Sequence, residues 1–316
     1  GPFVPDVYTY TFSVDGVSFV DPANTLHNHG TMPASSMLYV HGDAPAYYDP
    51  NPAIEHGSVT TSYYNSTVSK GLRTILVYTP PQYDAKKKYP VLYLMGGSGE
   101  ATDSWYKYGQ VNWIMDNMIA EGKIEPTIVV MVNNQIVHRS TPNHSELSFK
   151  MMEREYKECI IPWVDSHYST ITNRKGRALS GLSMGGHGAL FLAFRHQDVY
   201  GSAGSMSGGV DIRPFPEKWG ISKRLGTIEE NPQAWEENTV INLTHLLKPD
   251  SLNLIIDCGT GDFFYEVNCN LHKKLLDQGI PHDFISRPGV HNWPYWSNSI
   301  KYQIVFFNDR FVRGQN

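Results

Sequence analysis

From Tyr89 onward, short apolar runs alternate with helix-like segments, and that alternation leaves few folds open. PVLYLMGG (90–97), TIVVMVNN (127–134), GRALSGLS (176–183), YGSAGSMSGG (200–209), LNLIIDCGTGD (252–262) and HDFISRPGV (282–290) read as strands. Helical patterns fall near 110–121, about 148–167, 185–196, 264–278 and 297–312. Runs such as PVLYLMGG and TIVVMVNN are apolar with little alternation, as strands covered on both faces are. The expected class is α/β, with a mostly parallel central sheet and helices on both faces. Ahead of it, SVTTSYYNST and LRTILVYTP form a hairpin around Ser69-Lys70-Gly71. Residues 5–20 alternate as a half-exposed strand with Asp15-Gly16 as a hairpin turn, and the polar, Pro-rich stretch to about Gly57 reads as a linker or a wrapped arm.

Composition narrows the function classes. Apolar residues make up 41% of the 316 and charged residues 18%, a globular balance with a substantial core. A net charge of −5 leaves no footprint for nucleic acid, and no apolar run approaches the roughly 18 residues that span a bilayer. The chain opens on Gly1-Pro2 and enters a strand-like segment almost at once, so the missing leader carries no weight. Cys159, Cys258 and Cys269 make no disulfide framework and no CxxC metal spacing. His41, His56 and His144 show no zinc spacing either, so neither metal nor cofactor is expected. Sequons at Asn65, Asn143 and Asn242 are about what chance produces.

The chemistry centres on Gly181-Leu182-Ser183-Met184-Gly185, a G-x-S-x-G sequence set between a strand and a helix. Small residues two before and two after let the chain turn sharply, so that the Ser183 hydroxyl points outward at a helix N-terminus. A serine nucleophile needs a base, and the base an orienting acid, in the order Ser, acid, His for this kind of fold. His187, His196 and His272 lie on expected helices, His245 in a polar stretch, and His282 at the wrong end of a strand. His291 follows the last strand at the carboxyl edge, where open α/β sheets bind ligands, and is the preferred base. Asp262, in the loop CGTGDFF, can reach over that edge. Asp257 reads as structural, and Asp211 and Asp283 as weaker candidates.

An oxyanion needs two donors. One is expected from the Met184 N–H, and the other from the glycine turn after the first parallel strand, at Gly97 with Gly96 as its possible replacement. Trp105, Tyr106, Trp293 and Trp296 flank these loops and could stack on an aromatic acyl group or a sugar. The loops 133–147 and 208–222 are expected to wall the cleft.

LVYTPPQYDAKKKYPVLYLMGG, GLSMGGHGAL, DCGTGDFF and PGVHNWPYW, in that order, resemble the feruloyl and acetyl-xylan esterases of carbohydrate esterase family 1, within the esterase D superfamily. The resemblance runs from about residue 57 to 312. It implies an α/β-hydrolase fold and a triad of the elbow serine, the Asp of GT-x-D and the His of PG-x-H, which fall on Ser183, Asp262 and His291. It also implies a substrate such as feruloylated arabinoxylan or a xylo-oligosaccharide, and a secreted or periplasmic enzyme. YTYTFSVDGVSFVDPAN resembles the last strands of an immunoglobulin-like module found ahead of some of these esterases. On that basis the chain divides into a module remnant (1–25), an arm (26–56) and a catalytic domain (57–316). Many relatives carry His-Gly-Gly where this chain has Met95-Gly96-Gly97. Acetyl-xylan esterase, enterochelin-type esterase and a non-catalytic carbohydrate-binding protein are the other readings.

Overall fold

A computed structural model describes residues 3, 5–28, 34–43, 45–136 and 148–315. Its first strands are β1 (Asp6–Tyr10), β2 (Phe12–Val14), β3 (Val17–Phe19), β4 (His27–Asn28) and β5 (Ser35–Val40). The β2–β3 hairpin turns at Asp15 and Gly16 with φ of 51° and 82°, the two positive values that a tight turn between twisted strands demands. β5 lies within the stretch read as an arm and pairs antiparallel with β1, giving a three-stranded sheet ordered β1-β5-β4. The arm also grips the rest of the chain. The Tyr39 hydroxyl donates to the carbonyls of Lys107 and Tyr108, and the Asn117 amide donates to those of Tyr47 and Asp49.

The main sheet has eight strands: β6 (Ser58–Ser66), β7 (Gly71–Thr79), β8 (Val91–Met95), β9 (Ile128–Val132), β10 (Arg177–Gly181), β11 (Ser202–Met206), β12 (Asn253–Gly259) and β13 (Asp283–Arg287). Their order is β13-β12-β11-β10-β8-β9-β7-β6, parallel except for the β6–β7 hairpin, which adds antiparallel at one edge. The helices are α1 (Ser104–Lys107), α2 (Val111–Ala120), α3 (Ser148–Arg154), α4 (Ile161–His167), α5 (Met184–Arg195), α6 (Ser222–Leu225), α7 (Pro232–Asn238), α8 (Tyr265–Asp277) and α9 (Trp293–Gln315).

Strand alternation splits the core in two. Val91, Tyr93 and Met95 pack with α4, α5 and α8 on one face, while Leu92 and Leu94 pack with α2 and α9 on the other. The helix expected over 148–167 is interrupted by a π-helical stretch, Glu155–Ile160. There the fully buried Glu155 accepts from the Tyr64 and Ser66 hydroxyls, and Pro162, which has no N–H to give, follows in the first turn of α4.

Candidate active site

Ser183 sits in the sharp turn from β10 into α5 with φ 54° and ψ −117°, a backbone conformation that costs of order 1–3 kcal/mol outside glycine. Its neighbours explain why only glycine flanks it at two residues' distance. A Cβ on Gly181 would lie 2.6 Å from the Gly185 carbonyl carbon, and one on Gly185 would lie 2.6 Å from the Gly96 oxygen. The turn is pinned by Ser183 N–H to Met206 O (2.9 Å) and Gly185 N–H to Leu182 O (2.7 Å). Met184 opens α5, so its N–H has no acceptor within the helix and faces outward at the positive end of the dipole.

Two loops bring the other groups to this turn. Thr260 N–H donates to Arg287 O and Gly261 N–H to Gly289 O, joining the loop after β12 to the loop after β13. His291 Nε2 then stands 3.0 Å from Ser183 Oγ, and His291 Nδ1 stands 2.8 Å from Asp262 Oδ2. A carboxylate only accepts, so Nδ1 carries the proton and Nε2 presents its lone pair to the serine hydroxyl. The Asp262 side chain is wholly enclosed, and its Oδ1 accepts from the Phe264 N–H at 2.8 Å. The three residues chosen from the sequence thus form one hydrogen-bonded row across 108 residues of chain.

The competing acids and bases are occupied elsewhere. Asp257 is fully buried behind the row, holding Arg287, Tyr295 and Ser299, and burial raises its carboxyl pKa. Asp211 pairs with Arg213. His272 meets His282 at 2.7 Å, and His187 is bonded through Nδ1 to Gly209 O. Burial pushes the His187 pKa down to about 4, so its ring is neutral.

Of the two glycines in the turn after β8, Gly97 stands against the elbow. A Cβ there would lie 3.4 Å from the Ser183 Cβ and 2.7 Å from Leu182 Cδ1. Gly96 lies behind it, with its carbonyl taken by the Asn134 amide at 2.7 Å. Glu100 packs against both glycine positions, and burial pushes its carboxyl pKa up to about 7.

The tryptophan expectation needs correction. Trp105 is 1% exposed and donates its indole N–H to Met95 O, and Trp293 packs edge-on against it. Trp293 and Trp296 line a cleft beside His291, but at 1% and 5% exposure they offer it little ring surface. The aromatic surface comes instead from Trp219 and Phe263, 43% and 51% exposed, whose rings lie 6.1 Å apart. Phe263 also packs 4.3 Å from the His291 ring. Its position directly after Asp262 was a usable signal in the sequence, and Trp219 lies in the loop 208–222 that was expected to wall the cleft.

A slot of about 710 Å³, open mouth included, runs from Ser183 past Met184. Phe149, Ile212, Trp219, Ile221 and Phe264 line it, with Gln135 and Arg224 among the polar groups. The loop 208–222 therefore walls it as expected. From the loop 133–147 only Gln135 is seen to line it, and residues 137–147 lie outside the described residues, Asn143 and His144 among them. Among the described residues no group of three His, Cys, Asp or Glu could hold a metal ion, and no helix is long and apolar enough to cross a membrane.

The Esterase family, described as "Putative esterase", matches residues 66–306. An endo-1,4-beta-xylanase/feruloyl esterase of Xylanibacter ruminicola is 32% identical over 215 residues, 66% of this chain and 29% of that protein. The chain therefore spans less than a third of that relative. A ferulic acid esterase structure superposes with a TM-score of 0.71 at 28% identity, covering 81% of this chain and 99% of its own. The CE1 ferulic acid esterase of Anaeromyces mucronatus gives 0.68 at 23% identity, covering 84% and 96%. With the fold, the elbow and a family match over most of its length, the chain belongs to the esterase family and is a carboxylic-ester hydrolase of the α/β-hydrolase fold.

Proposed function

We propose that the protein is a serine esterase that releases ferulate or a related hydroxycinnamate from plant xylan. The observation that carries this reading is the Asp262–His291–Ser183 row opening into a mostly apolar slot with Phe149, Trp219 and Phe264 among its walls, a lining suited to an aromatic acyl group. It is supported by the xylanase/feruloyl esterase relative and by the ferulic acid esterase structures.

In this mechanism Ser183 Oγ attacks the ester carbonyl while His291 Nε2 takes its proton. Asp262 holds the Nδ1–H tautomer and stabilises the imidazolium. The Met184 and Gly97 N–H groups receive the oxyanion. His291 returns the proton to the leaving sugar oxygen, and water then hydrolyses the acyl-enzyme by the same route. Because a cell-wall polymer cannot enter a cell intact, this substrate places the enzyme's work outside the cytoplasm.

The test is hydrolysis of methyl ferulate beside an aryl acetate, with Ser183→Ala in parallel. Ferulate release that disappears in the variant is expected. Release of acetate alone would keep the mechanism and move the substrate to short-chain esters, and ferulate release persisting in Ser183→Ala would overturn the nucleophile.

A further inference from the structure

Ser183 stands between two clefts. Adjoining the slot, and sharing Ser98, Ser183 and Trp219 with it, lies a larger one of about 1570 Å³, mouth included, whose lining includes His291, Asn292 and Phe263. One wall comes from another sheet: Asp6, Tyr8 and Thr9 of β1, with Asn28 of β4. All four precede residue 66, where the family match begins.

The wall is held in place. Val7 packs into the core with α9, at 4% exposure, and Asp6, Val7, Tyr8 and Thr9 in succession all reach the cleft lining. The neighbouring strand is tied down through the Tyr39 hydroxyl to the Lys107 and Tyr108 carbonyls, and Tyr108 packs against Trp293 at the cleft.

The chemistry decides which half of the ester each cleft takes. His291 must hand its proton to the departing alcohol oxygen, so the alcohol half lies on the histidine side of the serine. The wide cleft contains His291, and the slot lining does not. The wide lining offers hydroxyls at Thr9 and Ser98 and an amide at Asn292, together with two exposed ring faces. Its carboxyls are Asp6 and the buried Glu100, whose pKa burial raises, and no Lys or Arg lines it among the described residues.

We infer that β1 and β4 wall a leaving-group subsite for a neutral oligosaccharide, which the rings stack on and the amide and hydroxyls pair with. The Asp6 carboxyl, with no cation in the lining to offset it, disfavours chains that carry uronates. This inference rests on the esterase reading above.

The test compares a feruloylated arabinoxylo-oligosaccharide with methyl ferulate, whose leaving group is too small to reach β1. Thr9→Trp, at an exposed position, plugs the cleft, and Tyr8→Ala strips its wall. For both variants kcat/KM on the oligosaccharide should fall about tenfold or more, carried by KM, with methyl ferulate within about twofold. No change on either substrate, or an equal fall on both, would overturn the subsite. Should Thr9→Trp fail to fold by thermal melt, Tyr8→Ala decides. A wild type inactive on methyl ferulate would sink the feruloyl reading itself, which is a separate result.

Discussion

The slot beside Ser183 is bounded by residues on loops and helices that follow the parallel strands, whereas the wide cleft takes one wall from β1, a strand of a separate sheet. The first region is held by the sheet itself: Ser183 by the β10–α5 turn, and Asp262 and His291 by two loops bonded to each other. The second depends on docking one sheet against another through a few contacts, Tyr39 among them. The comparison suggests a division of labour, with bond breaking on the rigid sheet edge and recognition of the alcohol half on an added wall.

Changes in the first region should therefore damage turnover of every ester. Ser183→Ala should lower kcat by about 10⁴-fold or more with the melting temperature preserved, and steady-state kinetics on methyl ferulate measures it. Asp262→Asn keeps the shape but loses the partner that selects the Nδ1–H tautomer, and should cost about 10³- to 10⁴-fold in kcat. Gly97→Ala pushes a methyl against Leu182 and Ser183 and displaces one donor, so kcat should fall about 10²-fold with KM little changed. An Asp262→Asn enzyme as active as wild type would break the first half of the comparison.

Where the two regions meet, Glu100 gives a pH-dependent prediction. Its folded-state pKa is raised from 4.5 to about 7 by burial, so the folded protein prefers the protonated form. Stability from this group is intact below about pH 4.5, declines as pH rises through about 7, and is flat above. Glu100→Gln should thus gain on the order of 2 kcal/mol over wild type at pH 8, the gain fading towards pH 4.5, as read by urea unfolding at both pH values. The smallest effect is expected in the second region. Tyr39→Phe loosens the N-terminal sheet at a cost of about 1 kcal/mol, with methyl ferulate turnover unchanged and faster proteolysis before residue 57. Equal loss of methyl ferulate turnover would show that the two regions are not separable.

What could be read in advance was local. The Gly181–Gly185 pattern between a strand and a helix specifies its own turn, because the glycines it requires are part of the motif. Asp262 and His291 follow strand ends, so chain order and the parallel sheet placed them at one edge before any contact was known. The tryptophans were misread because exposure belongs to the folded surface: Trp105 and Trp293 look identical in sequence to the exposed Trp219. β5 was missed because its pairing partner β1 lies some thirty residues away, and a strand without a clear alternating pattern shows only when its partners are in place.

The sequence by itself determined the class of fold, the strand-to-helix serine turn and the residues able to serve it, since these rest on periodicity and short-range sterics. Only the tertiary structure decided that Gly97 and not Gly96 faces Ser183, that the cleft's aromatics are Trp219 and Phe263, and that β1 forms a wall beside His291. Each of those depends on which surfaces remain open once distant segments have packed, and no local pattern encodes that.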